Sequence, residues 1–354
     1  MKLPIMPPVA PMLAKAVADM PLGEYSYEPK WDGFRSIVFR DGAEVEIGSR
    51  NGRPMTRYFP ELAAAMRSGL PDRCVLDGEI IVPDLSRGRL DFEALQQRIH
   101  PAESRIKLLA HQTPAHYVAF DLLALGDRDF TGEPFRERRR VLDEALAHAQ
   151  PPIHITPATD DPEVAQRWFD EFEGAGLDGV IAKPLAGAYQ PDKRVMFKIK
   201  HIRTTDCVVA GYRTYKGDSR AVGSLLLGLY DDSGDLVNVG VVGAFTSERR
   251  RTLLEELQPL VTTFDGHPWD WAEGEGSVRT PRSSESSRWS AGKDLTFVPL
   301  RPERVVEVRY DHMEGDRFRH TAQFVRWRPD RDPRSCTVGQ LEEAARFDLS
   351  DVLR

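Results

Sequence analysis

The chain of 354 residues has little cysteine and no long apolar run. Cys74, Cys207 and Cys336 stand far apart and form no Cys-x-x-Cys pair, so the sequence indicates neither a structural zinc site nor a redox dithiol. No stretch approaches the roughly 20 apolar residues of a membrane-spanning helix, and the proline-rich start lacks the pattern of a signal peptide. We therefore expect a cytoplasmic protein in a reducing compartment, without structural disulfides.

An excess of positive charge is also absent, because the formal net charge is −7. This balance argues against binding nucleic acid through bulk charge, although such binding needs only a local basic stripe. One stripe lies at 193–203, where five basic residues alternate with apolar ones and predict a strand with one charged face. With 41% hydrophobic and 29% charged residues, a globular protein of this length favours two domains.

The character of the sequence changes near residue 203. Before it, short strands alternate with helices. The predicted strands are 45–49, 74–82 and 116–123, and the predicted helices are 61–66, 92–98, 135–149 and 162–175. After it, short strands dominate around one helix, with strands at 207–214, 223–230, 236–245, 304–310 and 321–328 and the helix at 247–260. This second pattern predicts a small β-barrel of the OB type. The segment 273–293, rich in serine, glycine and charge, predicts a loop.

The tetrapeptide Lys30-Trp31-Asp32-Gly33 is the most informative stretch. A lysine amine is a poor nucleophile near its ordinary pKa of about 10.4, and it attacks an electrophile only if nearby cations or burial keep part of it neutral. Taken alone, the tetrapeptide is more typical of a surface turn, because Asp-Gly is a common turn pair and lysine is usually a solvated surface residue. Its meaning therefore depends on what the rest of the chain supplies.

Three further signals follow Lys30 along the chain. Arg50, in Ser49-Arg50-Asn51-Gly52, stands at a strand end, where it contacts a ribose or phosphate or simply belongs to a hairpin turn. Glu79 is a carboxylate within an apolar strand, which is costly unless it binds a metal, a cation or a hydroxyl. Phe120 lies in the apolar run 117–123, where it is either a core residue or a ring that stacks on a base.

The last motifs carry most of the charge. Asp178 and Lys183 are five residues apart, so they face opposite sides of an ideal strand and serve one site only if the strand twists or bulges. Lys198 and Lys200 are two apart and share a face. Lysines and arginines neutralise a polyphosphate, two carboxylates bind Mg²⁺, and an aromatic ring stacks on a base. The final motif is Arg326-Trp327-Arg328-Pro329-Asp330-Arg331.

In this order, the motifs resemble those of the covalent nucleotidyltransferases, the superfamily of ATP-dependent DNA ligases and mRNA capping enzymes. Glu28-Pro29-Lys30-Trp31-Asp32-Gly33-Phe34-Arg35, Ala119-Phe120-Asp121-Leu122-Leu123, Gly179-Val180-Ile181-Ala182-Lys183 and Phe324-Val325-Arg326-Trp327-Arg328 are most similar to the small actinobacterial ligases of the ligase C type. The resemblance implies an α+β nucleotidyltransferase (adenylation) domain at 1–203, with antiparallel sheets and flanking helices. It implies an OB-fold β-barrel domain at 204–354.

The resemblance also implies a role for each motif residue. Lys30 is the nucleophile that takes AMP from ATP, and Lys200 or Lys198 is the best candidate to keep its amine neutral. Residues implied to bind ATP or AMP are Glu28, Arg35, Arg50, Glu79, Phe120, Lys183, Lys198 and Lys200. Residues implied to form a lid that orients pyrophosphate are Arg326, Arg328, Asp330 and Arg331. Glu79 and Asp178 are the implied ligands of Mg²⁺ or Mn²⁺. Two positions depart from the pattern, since many relatives have glutamate in place of Asp178 and lysine in place of Arg331.

The activity implied is the sealing of nicks between a 3′-hydroxyl and a 5′-phosphate in DNA repair, through lysyl-AMP and DNA-adenylate intermediates. The partners implied are nicked or gapped double-stranded DNA, and Ku or a stand-alone primase-polymerase. We expect a monomer in the bacterial cytoplasm, associated with the nucleoid. No helical DNA-binding domain, polymerase or phosphoesterase is expected, so the grip on DNA must come from the two domains, alone or together with partners.

Two alternative functions remain open. An RNA ligase or a capping-type guanylyltransferase shares the Lys-x-Asp-Gly motif. A non-catalytic OB module with a decayed transferase is a different class of protein, and the intact set of Lys30, Glu79, Lys198 and Lys200 argues against it.

Overall fold

The computed structural model describes residues 1–270, 296–311, 313–341 and 347–353, and only the backbone of Glu314. The chain divides into two compact units. The first comprises Met1–Lys200 with Ala344–Arg354, and the second comprises His201–Glu343. The loop predicted at 273–293 lies outside the described residues. Within the described part of the chain, no helix is long and apolar enough to cross a membrane.

Among its described residues, the first unit contains two large sheets, a small two-stranded sheet (Pro83–Asp84 with Arg89–Leu90) and five α-helices. Its strands longer than two residues are β1 (Leu13–Val17), β2 (Tyr25–Pro29), β3 (Phe34–Asp41), β4 (Glu44–Ser49), β5 (Arg73–Ile81), β6 (His116–Leu125), β7 (Ile153–Ile155), β8 (Val180–Pro184) and β9 (Arg194–Ile199). Its helices are α1 (Pro60–Gly69), α2 (Phe92–Gln97), α3 (Glu103–Gln112), α4 (Phe135–Ala145) and α5 (Pro162–Glu171). One sheet has the strand order β1-β9-β8-β2, and the other has the order β7-β6-β5-β3-β4. All pairs are antiparallel except β1 with β9 and β7 with β6.

Strand β3 shows how the core positions the site. Val38 packs in the cluster that includes helix residues such as Leu62 and Leu142. Ile37 points the other way, because side chains alternate along a strand, and it packs in the cluster that contains Met196 of β9. Arg35 lies two residues before Ile37 and therefore shares that face, which is turned toward the four-stranded sheet.

Most predicted elements of the first unit are present with shifted ends. Asp161 accepts a hydrogen bond from the N–H of Glu163 at the start of α5, and Gly176, at φ +84°, ends the short 3₁₀ turn that continues this helix. The helix predicted at 135–149 ends earlier, at Ala145. Strands β1, β3 and β7 and helix α3 have no counterpart in the prediction. Helix α3 buries only Ile106 and Leu109, and most of its surface is exposed. The repeat of apolar residues along its sequence is therefore weak.

In its described residues, the second unit is a five-stranded antiparallel barrel with one α-helix and a small two-stranded sheet (Met313–Glu314 with Arg317–Phe318). Its strands are β10 (Arg203–Tyr215), β11 (Asp218–Tyr230), β12 (Leu236–Val242), β13 (Val298–Tyr310) and β14 (Gln323–Trp327), and its helix is α6 (Ser247–Leu257). The order is β12-β11-β10-β13-β14, and a bridge between Val242 and Ala322 joins the two edges. The interior is apolar, with Val208, Leu227 and Trp269 fully buried. These two units confirm the predicted fold class of an α+β nucleotidyltransferase domain followed by an OB-fold barrel.

The C-terminal end differs from the expected division of the chain. The second domain was expected to span 204–354, but the segment Ala344–Arg354 belongs to the first unit. Leu349 and Val352 are buried there, in a cluster with Trp31 and Leu90. The physical reason is hydrophobic: these two side chains find apolar partners on the first unit, and no pattern within a short segment announces such a distant partner.

Candidate active site

Lys30 lies directly after β2, and its backbone is fixed by two hydrogen bonds. Its N–H donates to the carbonyl of Gly179 (2.8 Å), and its own carbonyl accepts the N–H of Asp178 (2.9 Å). Its Nζ atom is 2.8 Å from Oδ2 of Asp178, and Nζ of Lys200 is 2.9 Å from the same oxygen. One carboxylate therefore holds two ammonium groups side by side.

The charge on Asp178 is stabilised by these lysines. Burial acts to raise the pKa of Asp178, because a carboxylate loses hydration in a site where only 9% of its side chain is exposed. The charges and hydrogen bonds of Lys30 and Lys200 outweigh that effect, so the pKa of Asp178 lies below its ordinary value. Asp178 is therefore an anion at neutral pH and fixes the position of both amines.

A left-handed glycine resolves the conflict between Asp178 and Lys183. The two residues were expected to face opposite sides of an ideal strand. Gly179, between Asp178 and strand β8, has φ +103°, and a Cβ there would lie 2.0 Å from the carbonyl oxygen of Ile199. Asp178 therefore does not follow the alternation of side chains along β8, and it pairs with Lys30. Lys183, within β8, pairs with Glu28, which lies two residues before Lys30. The two side chains therefore reach Lys30 and its near neighbour Glu28 through a left-handed glycine before the strand, in place of the twist or bulge that the sequence predicts.

Lys198, at the end of β9, completes a cluster of positive charge. Burial lowers the pKa of Lys198, and the charges of Lys30, Lys200 and Arg50 lower it further. Lys198 and Lys200 therefore lie near the same point, as their spacing predicts. Arg50 is exposed in the turn that follows β4, and its charge lowers the pKa of Lys198, while its contact with a ribose or phosphate stays a prediction.

Arg35 is more constrained than the sequence suggests. Its Nε and one Nη atom bind both oxygens of Asp77 on the neighbouring strand (2.6 and 2.7 Å), and Asp77 also accepts a hydrogen bond from the hydroxyl of Tyr189 (2.7 Å). Asp77 is completely buried. This bidentate pair anchors Arg35 within the protein, so the contact with phosphate or ribose expected of Arg35 is restricted to whatever part of the guanidinium Asp77 leaves available.

Glu79 lies directly opposite Arg35 in the register of β3 and β5. Burial raises the pKa of Glu79 to about 7, and the charges of Arg35 and Lys30 act against this rise. The N–H of Gly33 donates a hydrogen bond to the carboxylate, and a Cβ at Gly33 would lie 2.1 Å from the carbonyl oxygen of Ile80. The glycine of the Lys-x-Asp-Gly motif is therefore required by its close approach to the strand that carries Glu79.

Phe120 owes its position to an irregularity in the sheet. The register between β5 and β6 shifts where Asp77 pairs with Asp121 and Gly78 pairs with Ala119, which leaves Phe120 as the extra residue of a bulge. Its ring is only 6% exposed, with the guanidinium of Arg35 4.4 Å and Nζ of Lys183 4.5 Å from the ring centre. Phe120 is thus buried beside cations, and a base that stacks on it must use a face that these cations leave open or displace one of them.

Glu28 is the centre of a buried charge network behind the nucleophile. Its carboxylate is 2.7 Å from Nζ of Lys183 and 3.5 Å from a guanidinium nitrogen of Arg139 in helix α4. Burial raises the pKa of Glu28 and lowers that of Lys183, while their mutual attraction opposes both shifts. Lys183 also donates to the carbonyl of Phe120 (2.9 Å), which ties Glu28 to the bulge.

The residues of the last motif belong to the second unit and make their contacts within it. Arg326 pairs with Glu307 (2.7 Å), and Arg328 binds Asp206 and Asp330 together. Arg331, the departure from lysine, reaches toward Asp206 (3.6 Å) and makes long contacts with Ser335 and Gln340. A planar guanidinium reaches several acceptors in different directions, which a single ammonium does less well.

Three residues of this site were missed by the motif search. Asp77 stands two residues before Glu79, and its position on the same strand face was a usable signal. Arg139 lies in the run Arg138-Arg139-Arg140, where nothing in the sequence marks the one that reaches Glu28. Gly179 was quoted only as part of a motif, and its positive φ is visible only in the structure.

The first unit thus places a lysine amine among three further cations, with carboxylates beside it and a partly covered aromatic ring nearby. Such a site neutralises a polyphosphate around a potential nitrogen nucleophile. Together with the two folds, this geometry defines a nucleotidyltransferase.

Comparison with known proteins narrows that class. Residues 9–200 match the family model described as the ATP dependent DNA ligase domain, and residues 218–331 match that of the ATP dependent DNA ligase C terminal region. DNA ligase C of Mycobacterium tuberculosis is 68% identical over 357 residues, covering 100% of this chain and 99% of that protein. The multifunctional non-homologous end joining DNA repair protein LigD of the same species is 34% identical over 331 residues, 92% of this chain and 39% of that protein.

A solved structure of a Lig E DNA ligase is 17% identical, has a TM-score of 0.56 and matches 90% of this chain and 99% of that one, which supports the fold alone. The family models and the full-length relative decide the assignment. The chain belongs to the ATP-dependent DNA ligases.

Proposed function

We propose that this ligase transfers AMP from ATP to Nζ of Lys30 and then uses the AMP to seal nicks in double-stranded DNA. The observation that supports the assignment of the nucleophile is the carboxylate of Asp178, which holds the amines of Lys30 and Lys200 at 2.8 and 2.9 Å. Lys30 is thereby held in one place beside a second cation, where an α-phosphate between them can be attacked by one amine and neutralised by the other.

In the first step, Nζ of Lys30 releases its ammonium proton to solvent, and the neutral amine forms a bond to the α-phosphorus of ATP. The bond between that phosphorus and the pyrophosphate oxygen breaks, and pyrophosphate leaves. Lys198, Lys200 and Arg50 neutralise the phosphates. The catalysis is mainly positioning and charge neutralisation, as is usual in phosphoryl transfer. We assign pyrophosphate orientation in this step to Arg326, Arg328, Asp330 and Arg331 of the second unit.

Two further transfers complete the reaction. The 5′-phosphate of a nick takes AMP from Lys30, and the 3′-hydroxyl then attacks that phosphate and releases AMP. The second unit serves the first step with its last motif and the later steps with another face, so we propose that it turns about the segment 203–206 between them.

Adenine recognition is assigned to the network behind Lys30. Glu28 lies two residues before the nucleophile and is buried between Lys183 and Arg139, so its orientation is fixed before a nucleotide arrives. Its carboxylate accepts a hydrogen bond from an exocyclic amine, which adenine has at the position where guanine carries a carbonyl. The ring of Phe120 supplies a stacking surface. Arg35 supports this ring and contacts the nucleotide with the nitrogen that Asp77 does not bind.

The donor set suits Mg²⁺ or Mn²⁺. Within the described part of the chain, no group of three or more His, Cys, Asp or Glu side chains is placed to hold a metal. Mg²⁺ needs only one or two carboxylates when phosphates supply further oxygens, and Glu79 and Asp178 both act on Lys30. A bound divalent cation would neutralise phosphate charge, and we assign Glu79 and Asp178 as its protein ligands.

Labelling with nucleotide tests the first step. The wild-type protein incubated with ATP labelled at the α-phosphate should become labelled, and Lys30→Ala should not, while retaining most of its binding to nicked DNA. Labelling from GTP alone would favour a capping-type guanylyltransferase, and sealing of nicked RNA but not of nicked DNA would favour an RNA ligase. DNA binding without labelling from either nucleotide would leave only a binding module.

We also propose a role in DNA repair in the bacterial cytoplasm, close to the nucleoid, as a monomer. Similarity to LigD, named for non-homologous end joining, supports the choice of Ku or a stand-alone primase-polymerase as a partner. Sealing of double-strand ends and short gaps should rise when either purified partner is added. Equal sealing rates with and without both partners, and no co-purification, would remove this part of the proposal.

A further inference from the structure

The C-terminal segment makes specific contacts with the unit that carries Lys30. Within Ala344–Arg354, the structure describes residues 347–353. The N–H of Leu349 donates to the carbonyl of Gly88 (2.8 Å). Gly88 has φ +65°, and a Cβ there would lie 3.4 Å from the carboxyl carbon of Asp348. The segment is therefore docked through its backbone as well as through its side chains.

Its apolar side chains complete a cluster behind the nucleophile. Leu349 is completely buried and Val352 is 4% exposed, in a cluster with Trp31, Leu90 and Phe172. The ring of Phe347 lies 4.9 Å from the ring of Phe172. The segment also forms one wall of a cavity of about 700 Å³, whose other walls include Arg139, the partner of Glu28.

Trp31 connects this cluster to the chemistry, because it follows Lys30 directly in the chain. Its indole is 5% exposed, and its Nε1–H donates to Oγ1 of Thr156 (2.8 Å). The apolar cluster and this hydrogen bond fix the indole on one side. The hydrogen bonds of Lys30 to residues 178 and 179 fix the backbone on the other side. The C-terminal segment thus supplies part of the packing that immobilises the nucleophile's neighbour.

We infer that the segment 347–353 is a positioning element for the nucleophile: by packing against Trp31, it holds Lys30 in line with the α-phosphate during AMP transfer. This inference rests on the proposed role of Lys30. The matches to the two ligase family models end at residues 200 and 331, so neither includes this segment. Since the second unit lies between Lys200 and Ala344 in the chain, it is joined to the first unit at both of its ends.

The test separates the first step from the last. In the full-length protein, Leu349→Ala should lower the single-turnover rate of AMP transfer to Lys30 by roughly tenfold or more, since small displacements of a reacting group cost rates of this order. The KM for ATP should stay within about twofold, because Leu349 belongs to the apolar cluster of Trp31, and that cluster contains none of the residues assigned to ATP. Sealing of a nick that already carries AMP should also stay within about twofold, because Lys30 is not the nucleophile in that step.

Leu142→Ala is the matched control. Leu142 is equally buried in the same unit but packs in the cluster of α1 and α4, away from Trp31. At a temperature where both variants are folded, it should affect AMP transfer and sealing alike. Equal losses in both steps for Leu349→Ala, or a loss in AMP transfer no larger than that of Leu142→Ala, would overturn the inference. Failure of the wild type to accept AMP from ATP would instead overturn the proposed function.

A second measurement applies if Leu349→Ala unfolds. A chain that ends at Glu343 should transfer AMP slowly, and a synthetic peptide of residues 344–354 should restore the rate in a concentration-dependent way. The same peptide with Leu349→Ala should not. A truncated chain that is folded by circular dichroism and transfers AMP at the wild-type rate, or that gains nothing from the wild-type peptide, would contradict the inference.

Discussion

Asp178 and Glu79 are carboxylates beside the same lysine, yet their surroundings drive them in opposite directions. Asp178 touches two ammonium groups, and its pKa lies below its ordinary value even though burial opposes this. Glu79 is half-buried, feels Arg35 and Lys30 only through their charge, and has a pKa near 7. The first is a permanent anion that fixes two amines. The second gains a proton within the physiological range and is therefore the carboxylate that an arriving cation changes most.

The raised pKa of Glu79 predicts a pH dependence of stability. The folded protein binds the proton of Glu79 up to about pH 7, whereas the unfolded chain releases it near the ordinary value of 4.5. Stability from this group is therefore complete below about pH 4.5 and is lost as the pH rises through 7. Glu79→Gln has no carboxylate to ionise and avoids this loss. As the pH rises from 5 to 8, its free energy of unfolding should therefore gain on the order of 1 to 3 kcal/mol relative to that of the wild type.

Thermal and urea unfolding at pH 5 and pH 8 without nucleotide provide the measurement. The exposed Glu171 at the end of α5 gives the control. Glu171→Gln should change the free energy of unfolding by the same amount at pH 5 and at pH 8. If the free energies of unfolding of the wild type and of Glu79→Gln change in parallel between pH 5 and pH 8, Glu79 has an ordinary pKa and the prediction is wrong.

At the scale of elements, two local irregularities build the site. Because Gly179 before β8 is left-handed, the side chain of Asp178 does not follow the alternation of side chains along that strand. The bulge in β6 turns the ring of Phe120 toward Arg35 and Lys183. A regular strand at either place would bury one of these side chains on the wrong face. The glycines of the site therefore act through geometry and not through flexibility.

Gly179→Ala tests this geometry. The Cβ would require φ +103° from an alanine and would meet the carbonyl oxygen of Ile199 at 2.0 Å, so the strand must move. We expect the free energy of unfolding to fall by several kcal/mol. This exceeds the cost of about 1 to 2 kcal/mol for placing an alanine in a left-handed backbone conformation without a clash. In protein that remains folded, AMP transfer should fall because Asp178 no longer reaches Lys30.

Gly42→Ala is a matched control, because Gly42 has φ +60° but nothing within 4 Å of a Cβ. It should cost about 1 to 2 kcal/mol and leave AMP transfer unchanged. Urea unfolding and nucleotide labelling measure both effects. Similar losses for the two glycines would mean that the contact with Ile199 relaxes without consequence.

The sequence was sufficient for the parts of the site that depend on local pattern. Period-two spacing predicted that Lys198 and Lys200 share a face, and the apolar strand around Glu79 predicted a costly carboxylate. It was insufficient where the backbone departs from ideal geometry, as at Gly179 and Phe120, because φ angles and bulges depend on neighbouring strands. It also failed for Arg139 and Leu349, whose partners are distant in the chain, since long-range packing leaves no local periodicity.

At the scale of the whole molecule, the two units differ in how their charges are satisfied. In the first unit, the amines of Lys30 and Lys200 share the single carboxylate of Asp178, so positive charge exceeds negative charge at that point, which suits an incoming polyphosphate. The second unit pairs each arginine of its last motif internally. Nη1 of Arg328 is 2.9 Å from Oδ2 of Asp206, while its Nε and Nη2 atoms bind Asp330. If Arg328 acts on pyrophosphate, as we propose, it must release one of these carboxylates in the first step.

The two carboxylates are not equivalent, because the side chain of Asp206 is 11% exposed and that of Asp330 is 61% exposed. An exposed ion pair contributes little and is easily exchanged for phosphate, whereas a buried partner orients the guanidinium. Asp206→Asn should therefore lower the rate of AMP transfer to Lys30 by about tenfold or more, because Arg328 loses its orientation. Asp330→Asn should change that rate by less than about threefold, because the pair it removes is the weak one.

Sealing of pre-adenylated nicks separates this effect from general damage, since no pyrophosphate leaves in that step. Both variants should seal such nicks at close to the wild-type rate, and thermal unfolding should show both to be folded at the assay temperature. The reverse ranking, with Asp330→Asn the slower variant in AMP transfer, would assign the orienting role to the exposed carboxylate. Loss of AMP transfer and sealing together in Asp206→Asn would instead make the side chain of Asp206 a structural part of the barrel.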